Sequence, residues 1–214
     1  MASQTAGWAV LAAPAEATTV VDKSRFIAAL IPCDSPEALA AAVAERRRLH
    51  YAARHHCSAA ILGSDGRIQR SSDDGEPSGT AGVPMLSVLR HRRVTDLVAV
   101  VTRYFGGVLL GAGGLVRAYS GAVSAALDVA VLEHLEDRVE WTLAADFTKA
   151  GRLENTLRAW ASRHQADLNV DFTAVGAEFT MLLKPADGPD FAALAASMGT
   201  PAIQGPTVQV RVAP

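Results

Sequence analysis

The segment spanning residues 97–132 constrains the fold more than any other part of the chain. Residues 97–102 form a continuously apolar, β-branched run, the pattern of a strand buried on both faces. Glycines crowd residues 106–114, and residues 115–132 then read as a long helix with Leu115, Val116, Tyr119, Val123, Leu127 and Val131 along its core side. A buried strand that runs through a glycine-rich loop into a helix N-terminus presents backbone N–H groups to an anion.

The flanking sequence supplies the rest of an α/β unit. Residues 24–31 read as a buried strand ending at Pro32. Ser35-Pro36-Glu37 then opens a helix to about Leu49, with Ser35 as N-cap, Pro36 at the first helical position and Glu37 against the dipole. Residues 57–62 and 67–71 form a hairpin around Gly63-Ser64-Asp65-Gly66. A polar loop at residues 71–82 leads into a helix at residues 83–91. The pattern changes around residues 133–138, which places a domain boundary there and divides the chain into residues 1–137 and 138–214.

Beyond the boundary the order is β-α-β-β-α-β. The strands fall at residues 139–146, 168–173, 177–183 and 207–212, and the helices at 149–164 and 189–198, with Thr148 as a possible N-cap and Gly199 as a stop. Alternation is clear in Leu168/Val170/Phe172, Phe179/Met181/Leu183 and Val208/Val210/Val212. The second half is therefore expected to be a ferredoxin-like domain, and the fold class of the whole chain to be α+β.

Charge and composition narrow the function classes. A chain of 214 residues, half of them hydrophobic, can bury a proper core. Residues 1–137 carry 13 basic and 14 acidic groups and residues 138–214 carry 7 and 8, so neither half is a basic nucleic-acid module. Any anionic partner must be met by a local patch. Lys23, Lys149 and Lys184 are the only lysines, which reads as codon bias before function. Two cysteines, Cys33 and Cys57, are too few for a disulfide framework. With no recognisable secretory signal and no apolar run near the ~20 residues of a membrane helix, a soluble cytoplasmic protein is expected.

Three clusters carry possible chemistry. In the polar loop, Asp73, Asp74 and Glu76 could ligate a hard cation, although the loop lacks the terminal Glu of an EF-hand and also reads as a solvated turn. In the glycine-rich loop, Gly106 and Gly111 have P-loop spacing, but Ala112-Gly113 stands where Lys and Ser/Thr are needed; Val116 likewise breaks a dinucleotide fingerprint. Arg117, in the first turn of a helix beginning at Leu115, opposes the dipole. Either an anion relieves that conflict, or Arg117 leans away to pair with Asp73, Asp74 or Glu76. The third cluster is His50, His55, His56 and Cys57, too few for a zinc set; with Arg46, Arg47, Arg48 and Arg54, the pair His55 and His56 could form a basic patch for RNA phosphates. Arg90, His91, Arg92 and Arg93 could extend it, though they also complement a helix C-terminus. No GxSxG, HExxH or kinase signature is present.

Taken together, Ser24-Arg25-Phe26-Ile27-Ala28, Ala53-Arg54-His55-His56-Cys57, SDDGEPSGTAG at 72–82 and RYFGGVLLGAGGLVRAYS at 103–120 resemble the IMPACT/YigZ family. The resemblance is strong over residues 18–130 and weaker beyond. It implies a ribosomal-protein-like N-terminal α/β domain, similar to domains of elongation factor G and GHMP kinases, followed by the ferredoxin-like domain. Eukaryotic members of the family regulate translation and carry an additional RWD domain; this chain has the bacterial two-domain layout. The small Ser58-Ala59-Ala60 after Cys57 departs from the family, where an aromatic is common.

The resulting expectation is a non-enzymatic cytoplasmic regulator of translation that binds RNA, the ribosome or a translation-associated protein, with no cofactor, no metal, no membrane partner and no DNA sequence specificity. The expected binding residues are Asp73, Asp74, Glu76, Ser78, Thr80, Arg103, Tyr104, Gly106, Gly107, Gly113, Gly114 and Arg117. The alternative is magnesium-dependent binding or turnover of a small phosphorylated metabolite or nucleotide, with Asp73, Asp74 and Glu76 on the ion. A third reading makes the loops structural, packed through Asp/Arg pairs.

Overall fold

The computed structural model describes residues 8–212, and the chain divides into two compact units, residues 1–135 with 211–214, and residues 136–210. In the first unit the chain runs β1 (Ala9–Leu11), β2 (Ala15–Val21), β3 (Ser24–Pro32), α1 (Pro36–Leu49), β4 (His55–Leu62), β5 (Ile68–Ser72), α2 (Gly82–His91), β6 (Leu97–Tyr104) and α3 (Gly111–Val129). Five of these strands form an antiparallel sheet in the order β2-β3-β6-β4-β5. Short β1 pairs instead with residues 132–134 at the start of β7 (Leu132–Asp146).

The central strands are largely apolar because both faces of the sheet are covered. Phe26, Ala28, Leu30, Cys57, Ala59, Ile61, Leu97, Ala99 and Val101 pack with Met85 and Leu89 of α2 and Leu115, Tyr119, Val123 and Leu127 of α3. Their alternate neighbours Ala60, Leu62, Val98 and Val100 meet Leu39, Ala42 and Val43 of α1 on the other face. The strand period of two sends adjacent residues to opposite layers.

Local chemistry fixes the helix ends. Ser35 Oγ accepts the Ala38 N–H at 3.3 Å, with Pro36 in the first turn of α1, as its sequence predicts. The helix α3 differs from expectation: it begins at Gly111 rather than Leu115, so Arg117 is its seventh residue. Dipole opposition fades beyond the first turn, and the conflict read from the sequence is correspondingly small.

The second unit contains the rest of β7, α4 (Phe147–His164), β8 (Asp167–Phe172), β9 (Gly176–Leu183), a 3-10 turn (Pro185–Asp187), α5 (Gly188–Ser197) and β10 (Ile203–Val212). Strand order is β7-β9-β8, with β10 against β7. Phe179, Met181, Leu157, Trp160 and Phe191 form its core. Asp146, not Thr148, caps α4, accepting the Thr148 and Lys149 N–H groups at 3.0 and 3.2 Å. The expected boundary at residues 133–138 falls inside one continuous strand, where Arg138 is buried and donates to Glu136 at 2.9 Å and to the Gln165 carbonyl at 2.6 Å.

Candidate functional site

The two sequence loops meet within the first unit, joined by a buried polar network. Glu76 Oε1 accepts both Arg103 Nη1 and the Tyr119 hydroxyl at 2.7 Å. Arg103 lies near the rings of Phe26 and Phe105, with its guanidinium carbon 5.4 and 5.6 Å from their centroids. Ser24 Oγ accepts the Gly106 N–H at 3.1 Å. That contact explains one glycine directly: a Cβ at Gly106 would stand 2.0 Å from the Lys23 carbonyl carbon, so only a bare backbone fits against the β2–β3 turn.

The other loop carboxylates are equally committed. Asp73 accepts the N–H groups of Gly79, Ala81 and Gly82 at 2.8, 3.0 and 2.8 Å, capping α2 from eight to nine residues upstream. Burial alone would raise its pKa, but those three donors outweigh it and hold the carboxyl below the ordinary value. Asp74 accepts the His56 N–H at 2.6 Å and pairs with Arg47. The trio expected to share a cation therefore faces three separate sets of protein donors. Desolvation, together with nearby acidic groups, pushes the Cys57 thiol up to about 12; its Sγ–H donates to the Asp73 carbonyl at 3.0 Å. Burial likewise raises the Tyr119 hydroxyl, which stays a neutral donor.

The proposed basic patch is largely absorbed by the fold. Arg46 is buried against Glu16 at 2.8 Å, Arg47 is held by Asp74, and Arg48 pairs with Glu45 at 2.7 Å. His56 is buried beneath α1, so it cannot contribute to a surface patch. Arg54 stays exposed, and His55 is half-buried with Nδ1 2.8 Å from the Asp74 carbonyl oxygen.

Two further expected ligands turn away. Tyr104 follows Arg103 on β6 and so faces the opposite layer, where its hydroxyl meets His50 Nδ1 at 3.0 Å and its ring lies under Arg25. The Thr80 hydroxyl donates to the Pro77 carbonyl at 2.6 Å, while Ser78 is exposed. Arg117 pairs with none of Asp73, Asp74 or Glu76 and lies back toward its own first turn, Nη1 being 3.6 Å from a Cβ built on Gly113. The Asp/Arg pairing expected of the loops is instead carried by Arg103 with Glu76 and Arg47 with Asp74.

Above this locked base lies a cleft of about 420 Å³. Pro77, Phe105, Leu109, Leu110 and Leu115 make its apolar wall, and Arg54, His55, Glu76 and Arg103 its polar side; Gly111 and Ala112 open α3 beside it. The α3 N-terminus has no side-chain cap and no acidic residue in its first turn, so no side chain of its own cap or first turn meets its first backbone N–H groups. Gly107, at φ 86°, has open space around it, unlike Gly106. Leu109 is 87 % exposed and Phe105 51 % exposed. Sequence reasoning missed these apolar positions, although large apolar residues inside a glycine-rich loop were the available signal: a loop that does not pack them must present them.

A mixed α/β chain in two units, with the glycine-rich and acidic loops locked together on the first, is the class of protein these features define. Residues 22–127 match the model of the Impact N-terminal domain. The Bacillus subtilis (strain 168) protein IMPACT family member YvyE is 49 % identical over 140 residues, which cover 65 % of this chain and 64 % of that relative, just under two thirds of its length. The Escherichia coli (strain K12) protein IMPACT family member YigZ is 43 % identical over 152 residues, covering 70 % of this chain and 74 % of YigZ. A solved structure described as the crystal structure of a hypothetical protein superposes with a TM-score of 0.60 at 36 % identity, covering 93 % of this chain and 97 % of its own. The chain belongs to the IMPACT family. Among the described residues, no helix is long and apolar enough to cross a membrane.

Proposed function

We propose that this chain is a non-enzymatic regulator of translation that docks on the translation machinery through the glycine-rich loop of its first unit. The observation carrying the reading is the exposed apolar group Phe105, Val108 and Leu109, borne on a loop whose base is fixed by the Ser24, Arg103 and Glu76 contacts. Single exposed apolar residues are ordinary, but several together on an anchored loop favour a partner surface. Membership in a family whose eukaryotic members regulate translation supplies the biological direction. The Ser72–Gly82 loop acts mainly as the brace that holds this surface, through Asp73, Asp74 and Glu76. The second unit, read as ferredoxin-like from its β-α-β-β-α-β order, positions the first or contacts another protein.

Co-sedimentation with ribosomes over a salt series tests the proposal. Association at low salt supports it, and no association even at low salt, where phosphate contacts are strongest, opposes it.

A further inference from the structure

We infer that the cleft between the glycine-rich loop and Arg54 binds a nucleotide unit, phosphate and base together, without a divalent ion. This deepens the docking proposal by naming the chemistry of one contact on that face, and it rests on that reading for the site's location.

The phosphate half follows from charge. Four backbone N–H groups at the start of an α-helix lack intrahelical partners, and α3 has neither a side-chain cap nor an acidic residue to occupy them. One exposed arginine, Arg54, stands on the cleft wall. It enters no ion pair among the described residues. A second arginine on the wall, Arg103, is more than nine-tenths buried, and its Nε–H has no hydrogen-bond partner although Glu76 takes another nitrogen of the same guanidinium. Arg54 and Arg103 on the wall, beside the uncapped start of α3, match a phosphate group.

The base half follows from the opposite wall. The half-exposed Phe105 ring offers a stacking face, with Leu109 and Leu110 beside it, and base–aromatic stacking is worth about 1–3 kcal/mol per base. His55 adds a suitable polar group. Its Nδ1 meets a carbonyl oxygen, which can only accept, so Nδ1 donates there and Nε2 is left for a sugar hydroxyl or a base edge. The cleft volume also falls in the range of small-ligand sites.

Magnesium is not required because the loop carboxylates are already engaged: Asp73 by three N–H groups, Asp74 by His56 and Arg47, Glu76 by Arg103 and Tyr119. The phosphate charge is balanced by arginines and amides instead.

Calorimetric titration of the full chain with adenosine 5′-monophosphate and with a six-residue oligoadenylate, both in EDTA, tests the inference. Binding of the mononucleotide identifies a free nucleotide as source, and binding of the oligomer alone identifies an RNA strand; either supports the site. Arg54→Ala and Phe105→Ala should each weaken binding at least tenfold, with Arg67→Ala, on the distant β4–β5 turn, unchanged. No heat from either probe, binding only after magnesium is added, or parent-level affinity in Arg54→Ala and Phe105→Ala overturns the inference. If neither probe binds but the protein still sediments with ribosomes, the nucleotide site fails and the docking proposal stands; nucleotide binding without ribosome association gives the reverse result.

Discussion

Glu76 and Tyr119, 43 residues apart in sequence, share a 2.7 Å hydrogen bond, and the same carboxylate oxygen also holds Arg103. This junction ties the acidic loop to β6 and α3. Because Arg103 and Glu76 are both almost fully buried, Glu76→Gln leaves a guanidinium without its counter-charge, which costs about 3–5 kcal/mol. Tyr119→Phe removes one hydrogen bond to a charged group and should cost about 1.5–3 kcal/mol. Urea denaturation of the two variants checks the order; equal losses would show that the ion pair carries no special weight.

The two adjacent loop glycines should respond differently to alanine. Gly106→Ala forces a Cβ into the Lys23 carbonyl and should cost about 3 kcal/mol or more, since backbone rather than a flexible side chain must move. Gly107→Ala meets no neighbour and suffers only its positive φ, worth about 1–2 kcal/mol. Thermal unfolding of both variants decides: a Gly107→Ala loss as large as that of Gly106→Ala contradicts the close-approach account.

Stability should fall as the medium turns acid, in two stages. Burial, with Arg46 near His50, holds that imidazole below its ordinary 6.5, despite Glu16. Burial likewise depresses His56 with Arg47 adding to it, although Asp74 pulls the other way. A histidine with a lowered folded-state pKa takes its proton more readily when unfolded, so its contribution is complete above pH 6.5 and is lost as pH falls below it. The depressed Asp73 carboxyl adds a second loss at lower pH, beginning near its ordinary 3.8 and continuing down through its folded value. Urea midpoints should decline from pH 7.5 to 5.5, less steeply in the double variant His50→Gln, His56→Gln. A flat profile above pH 5 contradicts the histidine assignment.

Both cysteines should be silent in the native protein. Cys57 is fully buried with its thiol pushed up to about 12, and Cys33 is buried with its thiol also raised, chiefly by desolvation. The thiolate is the reactive form. A thiol reagent at pH 7.5 should label neither residue until denaturant is added, whereas rapid native labelling of Cys57 would show that the network opens readily.

The strong periodicities were readable and the tertiary pairings were not. The apolar run in β6 and the Ser35-Pro36 cap of α1 identify their elements because the determining contacts are local or repeat along the chain. The strand β2 leaves little trace in the sequence: its small Ala and Thr residues blur the alternation that its half-buried pattern requires. The start of α3 lies at Gly111, ahead of the Leu115 its pattern suggests, because Gly111, Gly113 and Gly114 are poor helix formers whose propensity tertiary packing overrides. At the site, residue type pointed to the loops but not to the partners. Asp73, Asp74 and Glu76 look alike as exposed ligands in sequence, yet each is satisfied by donors up to 43 residues away or across a tight turn. Phe105 and Leu109, on which the proposed surface rests, are exposed, whereas composition weighs them as core.

The docking surface is tested most directly by comparing ribosome co-sedimentation of the parent chain and Leu109→Asp in low-salt buffer. Leu109 is 87 % exposed, so its substitution should leave the unfolding curve unchanged within about 0.5 kcal/mol. The account predicts that the parent pellets with ribosomes and that Leu109→Asp stays in the supernatant with its fold intact; equal pelleting of the two proteins, or no pelleting of the parent, would contradict it.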